Sequence, residues 1–420
     1  MDATERRNFW LCVGNGSFGH AGMAFFAFDT IMAGLVFTLT GSTVLVTLLT
    51  STVLVGWLWP QLLVGHAVGH WSRKMPAYRY AAVVRIGAHA AMIPALYIFQ
   101  DHPLALFWVL WLCTLFFVSA GGVSLIPFLD IVGKAIPAGH RSMLMGYRRL
   151  FGGLGGFLGG LVAVYVLTEE NGFRYPFNYA LLLGIGLALC TTCYCLFMCL
   201  REPEGATEDP RLFTRYLKDG MALFKKDADF RRFYIYRIGF HGGTMAYPLF
   251  VPFAMHTFNA PEGNTGWFAA TTAITAGVSS MVWGRVAQRF GEAFLFRVCT
   301  ALLLIPPCLA LVAGYLAHHP TLGGWMQAHY LGLMVFTFAC HIAAINGTGI
   351  AGTVYLLGLP PEGKRPAYLA IMNTLSTPLV FMPVLAGVLA SKTSYETAFL
   401  AGLLVTVFAT VMAWRLRDQE

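Results

Sequence analysis

The stretch SFGHAGMAFFAFD, residues 17–29, sets His20 and Asp29 inside an otherwise apolar run. An ionisable group at the centre of a spanning helix costs about 3 kcal/mol on insertion scales, so such groups face a protein interior or a watery cavity. The chemistry open to them is proton exchange and hydrogen bonding to a solute. His20 falls roughly 15 Å deep, counting from Trp10 at about 1.5 Å per residue. Asp29 lies nearer the far end, with Asn15 on its side of an ideal helix. Successive residues turn by about 100°, which sets His20 and Asp29 on opposite faces unless the helix bends at GHAG. Asp29 reads either as a proton-coupling acid or as an acid capped at the membrane rim.

A second stretch, YRIGFHGGTMAYPLF (236–250), spaces Arg237, His241 and Met245 along one helix side. Neutral imidazole exchanges protons near physiological pH, and a guanidinium attracts carboxylates. Pro248 is expected to kink this segment. His341 and Asn346 in FTFACHIAAINGTG, with Asn373 further on, suit hydrogen bonds to a solute or between helices. Asp130 and Lys134 stand one turn apart, and Arg148 and Arg149 follow at the start of the next apolar run. Together they read as an ion-pair gate or as a static helix-end pair. His66 and His70 (i, i+4), the pair His241–Met245, and Cys190, Cys193, Cys195 and Cys199 are the weak metal candidates. Cysteine is also a common small apolar residue in membranes.

The elements that must hold these groups are spanning helices. The chain of 420 residues is 57% hydrophobic and 11% charged, against about 25% charged in soluble domains. Apolar runs of about 20 residues, enough for about 30 Å of hydrocarbon, fall near 9–37, 42–66, 79–99, 104–130, 144–167, 178–200, 233–257, 265–288, 293–316, 328–355, 367–390 and 396–415. Twelve helices are expected, in two pseudo-symmetric six-helix halves at 1–200 and 233–420. A polar linker, 201–232, lies between them, and TRYLKDGMALFKKDADF within it suits an amphipathic surface helix.

The formal net charge of +8 is spread over short connections, which excludes a nucleic-acid partner. With the N-terminus inside, all 28 Lys and Arg except Arg174 and Lys392 fall in cytoplasmic loops, termini or adjoining helix ends. Both termini are therefore expected in the cytoplasm. MDATERR runs straight into the first apolar segment, with no cleavable signal expected. The nine cysteines suggest no disulfide framework, and a bacterial inner membrane fits. No P-loop, Gly-x-Ser-x-Gly elbow or HExxH occurs. An enzyme is not expected, and no cofactor is implied.

The halves repeat. GHAVGHWSRKMPAYR (65–79) has a counterpart in GRVAQRFGEAFLFR (284–297), and IPAGHR (136–141) has one in LPPEGKR (359–365). On these residues the chain resembles the major facilitator superfamily over essentially its whole length. The family's loop signature, roughly G-x-x-x-D-R-x-G-R-K, is met by Gly65, Arg73 and Lys74 in the first copy. Gly284, Arg289 and Gly291 meet it in the second. Gly69 and Gln288 occupy the acidic position, so the acid that latches the inner side in the family is missing from both copies. GGLGGFLGG (152–160) resembles the antiporter signature with Phe157 in place of proline; the other reading is close helix packing.

The resemblance implies a monomeric secondary transporter working by alternating access. Its partners would be a small organic solute, protons and the lipid bilayer, and Arg237 favours an anionic solute. His–Met pairing is similar to that of a copper-importing branch, so a soft-metal or metal-chelate importer is the alternative. A non-transporting membrane scaffold is the second.

Overall fold

The computed structural model describes residues 1–68, 71–205, 227–359, 372 and 375–416, and every regular element among them is helical. The chain clusters into two compact units. Unit 1 comprises 1–40, 52–211 and 265–277, and unit 2 comprises 41–51, 212–264 and 278–420. Each unit therefore includes a short segment from the other side of the chain. Eight helices among the described residues are long and apolar enough to cross a membrane, and shorter apolar helices accompany them.

Unit 1 is built on α1 (Ala3–Ala24), α2 (Ile31–Thr40), α3 (Thr43–Val68), α4 (Met75–Ile98), α5 (Pro103–Ala135), α6 (Ala138–Leu167) and α7 (Phe177–Met198); the start of α3, up to Ser51, packs in unit 2. Asp2 opens α1 with a capping box: its carboxylate accepts from Glu5 N at 2.7 Å, and its own amide donates to Glu5 at 2.8 Å. These bonds satisfy amides that the first helical turn leaves without partners. Asn8 exchanges hydrogen bonds with the backbone of Arg201 at 3.1 and 3.2 Å, fixing the start of α1 to the end of α7.

Glycines decide how closely the helices approach. A Cβ at Gly22 would meet Cys190 Sγ at 2.8 Å, and one at Gly19 would meet Cys193 Sγ at 2.9 Å, so α1 lies directly on α7. The GGLGGFLGG run of α6 serves two neighbours. Gly152 and Gly155 receive His20 and Ala21 of α1 and Gly159 receives Phe25 just after it, while Gly153 and Gly160 receive the segment around Ala270 and Ala273. These glycines lie in close helix contacts. On α3, Gly56 abuts Val118, and Gly122 of α5 lies against the carbonyls of Gly56 and Trp57 beside Pro60. Indole hydrogen bonds from Trp111 to Thr52 (2.8 Å) and from Trp59 to Ser119 (2.9 Å) tie the same helices.

Unit 2 contains α8 (Ala228–Gly243), α9 (Phe250–Phe258), α10 (Asn264–Phe290), α11 (Glu292–Leu302), α12 (Ile305–Ala317), α13 (Gly323–Gly358), α14 (Met382–Lys392) and α15 (Tyr395–Ala413); the first half of α10 packs in unit 1. Its core is aromatic: Phe230, Phe233, Tyr236, Phe296 and Tyr355 are buried together, and the Tyr236 hydroxyl meets Thr300 Oγ1 at 2.9 Å. Gly239, Gly242 and Gly243 of α8 receive Ala409, Val405 and Thr406 of α15. The first helix of this unit thus meets the last through glycines, as α1 meets α7. Gly291 turns between α10 and α11 at φ +80°, a left-handed backbone that favours glycine.

Three of the expected continuous helices are interrupted. Residues 25–30 separate α1 from α2, residues 244–249 separate α8 from α9, and Leu303–Leu304 separate α11 from α12. GHAG itself stays helical, and the first break comes after Ala24. The second includes a short 3-10 turn, Tyr247–Leu249, with Pro248 buried in it, as a residue lacking an amide hydrogen favours. The expected amphipathic segment of the linker falls largely in 206–226, outside the described residues, as does Asn373.

Candidate functional site

The polar groups in unit 1 fall into two sets. Asn15 is buried, and both ends of its amide are engaged: the nitrogen donates to the Cys193 carbonyl at 2.9 Å, and the oxygen accepts from Arg148 at 2.7 Å. Arg148 also donates to the Cys12 carbonyl at 2.5 Å, and its guanidinium carbon lies 4.7 Å from the Phe128 ring centroid. Gly16 makes room for it, since a Cβ there would meet the Arg148 stem at 2.6 Å. Asn15 and Arg148 therefore join α1, α6 and α7. His20 is exposed within the unit, with its Cβ against Gly152. Asp29 is half-buried in the α1–α2 link, so the break, not a helix face, sets its position.

The second set is ionic and gathers where α4 begins and α5 ends. Lys74 Nζ meets Asp130 at 2.9 Å, Lys134 also pairs with Asp130, and Lys134 meets Glu202 at 3.4 Å. Glu202 spreads its carboxylate across the first amides of α4, accepting from Lys74 N at 2.7 Å and Met75 N at 2.8 Å. Arg73 meets Glu204 at 3.2 Å nearer solvent. The expected pairing of Asp130 with Lys134 forms. Arg148 stays apart because it faces α1, and Arg149 is exposed on α6. The acids that meet Lys74 thus come from outside the loop signature, from Asp130 and Glu202. Carboxylate at a helix N-terminus is favoured by the unpaired amides and the helix dipole.

In the second signature copy, Gly284 lies within α10, Arg289 is exposed over the Phe290 ring at 5.2 Å, and Gly291 makes the turn already described. Gly65 lies within α3.

In unit 2, Arg237 and His241 stand one turn apart near the end of α8, with Nη2 and Nε2 separated by 3.5 Å. No carboxylate among the described residues pairs with Arg237. Met245 is buried in the link after α8, so the helical stacking expected for all three holds only for the first two. His341 is 2% exposed, lies parallel to Tyr247 with ring centroids 4.1 Å apart, and has neither ring nitrogen hydrogen-bonded among the described residues. Asn346 donates to Ser279 at 3.0 Å. No three His, Cys, Asp or Glu among the described residues gather as metal ligands.

One group in unit 1 was not singled out from the sequence. Arg85 is only 8% exposed on α4, with His89 one turn further on. The positive-inside pattern assigns it to a helix end, yet it stands ten residues inside α4, facing rings of three other helices. The signal available was an arginine in the middle of the apolar run YAAVVRIGAHAAMIPALYIF.

Residues 233–420 match the sequence model of the Major Facilitator Superfamily. Solved structures extend the likeness to the whole length. A D-xylose–proton symporter matches with a TM-score of 0.73 at 11% identity, covering 99% of each chain. A bacterial homologue of the iron transporter ferroportin, inward-facing, gives 0.71 at 11% identity, covering 98% of each. A variant of the nucleoside transporter NupG gives 0.69 at 15% identity, covering 97% of this chain and all of that one. The match in sequence to that superfamily is therefore one of residues 233–420. Over the rest of the chain the solved structures show a shared fold. No curated protein matches significantly in sequence. The eight helices long and apolar enough to cross a membrane among the described residues are in keeping with that fold.

Proposed function

We propose that the protein is a secondary active transporter that moves a small organic anion across a bacterial cytoplasmic membrane by alternating access, with protons as the coupling ion. Twelve spans in two six-helix halves, both termini in the cytoplasm and a monomeric state belong to this reading. The observation that carries it is Arg237. A guanidinium beside a helix break, with no carboxylate partner among the described residues, is offset by an anion that arrives with the solute. Its contact with His241 supplies the link to protons. When Arg237 turns to an oxyanion, the imidazole nitrogen is released to take up a proton. His20, Asp29, His341, Asn346 and Asn373 are the further groups we assign to solute binding or proton transfer, and Asp130 with Lys134 to an inner-side gate.

The solved neighbours are named for a pentose, a nucleoside and iron, so the test spans those classes. The purified chain would be reconstituted in liposomes with an imposed pH gradient and offered labelled carboxylates, nucleosides, pentoses and Cu(I) or Fe(II). Uptake of a carboxylate that follows the proton gradient is expected, with an Arg237→Ala protein slowed at least tenfold. Normal carboxylate transport by Arg237→Ala would remove the argument from that residue. Transport of metal alone would favour the soft-metal alternative, and no transport of any cargo would favour the scaffold.

A further inference from the structure

Arg85 is a buried charge of unit 1. It stands ten residues into α4, about 15 Å along the helix axis, so a lipid headgroup does not reach it. Three rings crowd its guanidinium carbon: Phe117 of α5 at 4.5 Å, Tyr194 of α7 at 4.9 Å and Trp57 of α3 at 5.7 Å. Nε is buried without a hydrogen-bond partner, and Arg85 forms no ion pair or hydrogen bond among the described residues. Aromatic faces offset part of the cost of burying a cation. They offer no lone pairs in the guanidinium plane, however, and the N–H donors all lie in that plane. A planar fork of unspent donors matches a carboxylate or phosphate-type oxyanion, which it binds through two parallel hydrogen bonds.

We propose that Arg85 is an oxyanion-binding residue of unit 1, receiving a carboxylate or phosphate-type group of a small solute through its in-plane N–H donors while Trp57, Phe117 and Tyr194 hold it. This rests on, and deepens, the reading of the protein as an anion transporter. The ring set continues to the interrupted first span. Phe117 lies 5.5 Å from Phe26 in the α1–α2 link, and Phe26 lies 4.2 Å from His89. An anion on Arg85 therefore presses on the rings that pack the segment carrying Asp29.

The test uses the full-length protein in detergent, with sodium benzoate, succinate, phosphate and sulfate as probes. Sodium chloride at equal ionic strength, mannitol and a neutral nucleoside are the controls. At least one oxyanion should raise the wild-type melting midpoint saturably beyond the chloride control. Arg85→Gln should weaken its Kd at least tenfold, and Arg85→Lys should recover part of the loss. Because truncating Arg85 also disturbs its rings, a second measurement leaves the fold untouched. Phenylglyoxal modification of wild-type Arg85, followed by peptide mass spectrometry, should slow at least threefold in the saturating oxyanion. No oxyanion effect beyond chloride, an unchanged Kd in Arg85→Gln, or modification unaffected by the anion would each overturn the proposal. None of these outcomes bears on whether the protein transports a neutral solute, and a failure of transport in liposomes leaves the binding readouts standing.

Discussion

At the scale of single residues, the sequence announces chemical type and withholds partners. Lys74 is visible as the end of a loop signature, but its counter-ions are not. Glu202 reaches the first amides of α4 from 128 residues away, across three intervening helices, and no local pattern encodes that contact. Its side chain is 4% exposed, and those of Lys74 and Lys134 are 11% and 14% exposed, so the cluster is shielded from water. Replacing Glu202 by Gln keeps the shape but removes a charge from two backbone donors and one ammonium. Hydrogen bonds to charged groups contribute about 1.5–3 kcal/mol, so Glu202→Gln is expected to cost about 2 kcal/mol, read as a lower melting midpoint in detergent. Glu204→Gln, whose pair with Arg73 is solvent-exposed, is expected to cost under about 1 kcal/mol. Equal effects would mean that capping of α4 contributes nothing beyond surface charge. Asn15 makes the complementary point. The sequence offers it as a solute ligand, while its amide is engaged on both sides by Arg148 and Cys193, leaving Arg148 short of one acceptor if the side chain is truncated. Asn15→Ala is therefore expected to lower stability by about 1–3 kcal/mol, and a protein with unchanged melting but lost transport would restore the ligand reading.

At the scale of elements, spans were legible because hydrocarbon imposes their length, and their interruptions were legible only where a proline marked one. Pro248 announces the break after α8, and Pro306 and Pro307 follow the one between α11 and α12, whereas the link at 25–30 holds no proline. That break leaves Phe26 and Phe28 buried, so ring packing stabilises it. The glycine run of α6 was legible as a smooth face, but not as two faces serving two neighbours. A Cβ on Gly160 would run into the backbone of Ala270, which cannot swing aside as a side-chain tip would. Gly160→Val is expected to cost about 2–4 kcal/mol, the scale of severe overpacking, and to reduce the monodisperse yield. Gly146, also on α6, has open space where its Cβ would go. Gly146→Ala is therefore expected to be neutral or to stabilise by about 0.5–1 kcal/mol. If both variants melt with the wild type, the close approach at Gly160 does not constrain the fold.

At the scale of the whole molecule, the repeat in the sequence leads to an expectation of two halves divided at the linker, whereas the compact units each take in a segment from the other side of the chain. Residues 265–277, which precede the rest of α10, pack into unit 1, and 41–51 pack into unit 2, where Thr43 donates to the Gly387 carbonyl at 2.9 Å. A boundary read from apolar runs assigns each helix whole to one half, so it has no means of finding a helix whose two ends belong to different units. The consequence can be measured by expressing 1–211 and 212–420 as separate chains. Alone, the first chain lacks the segment that covers Gly153 and Gly160, and the second lacks Thr43 and Thr47, which fill the space at Gly387. Each fragment is therefore expected to aggregate or to melt below the intact protein, since an uncovered face leaves its packing partners without contacts. Co-expression should restore a monodisperse species containing both fragments, because the missing segments are then present even though the linker is cut. Fragments that fold singly with the intact protein's melting midpoint would show that the exchanged segments add nothing to either unit, and the division would then lie at the linker alone.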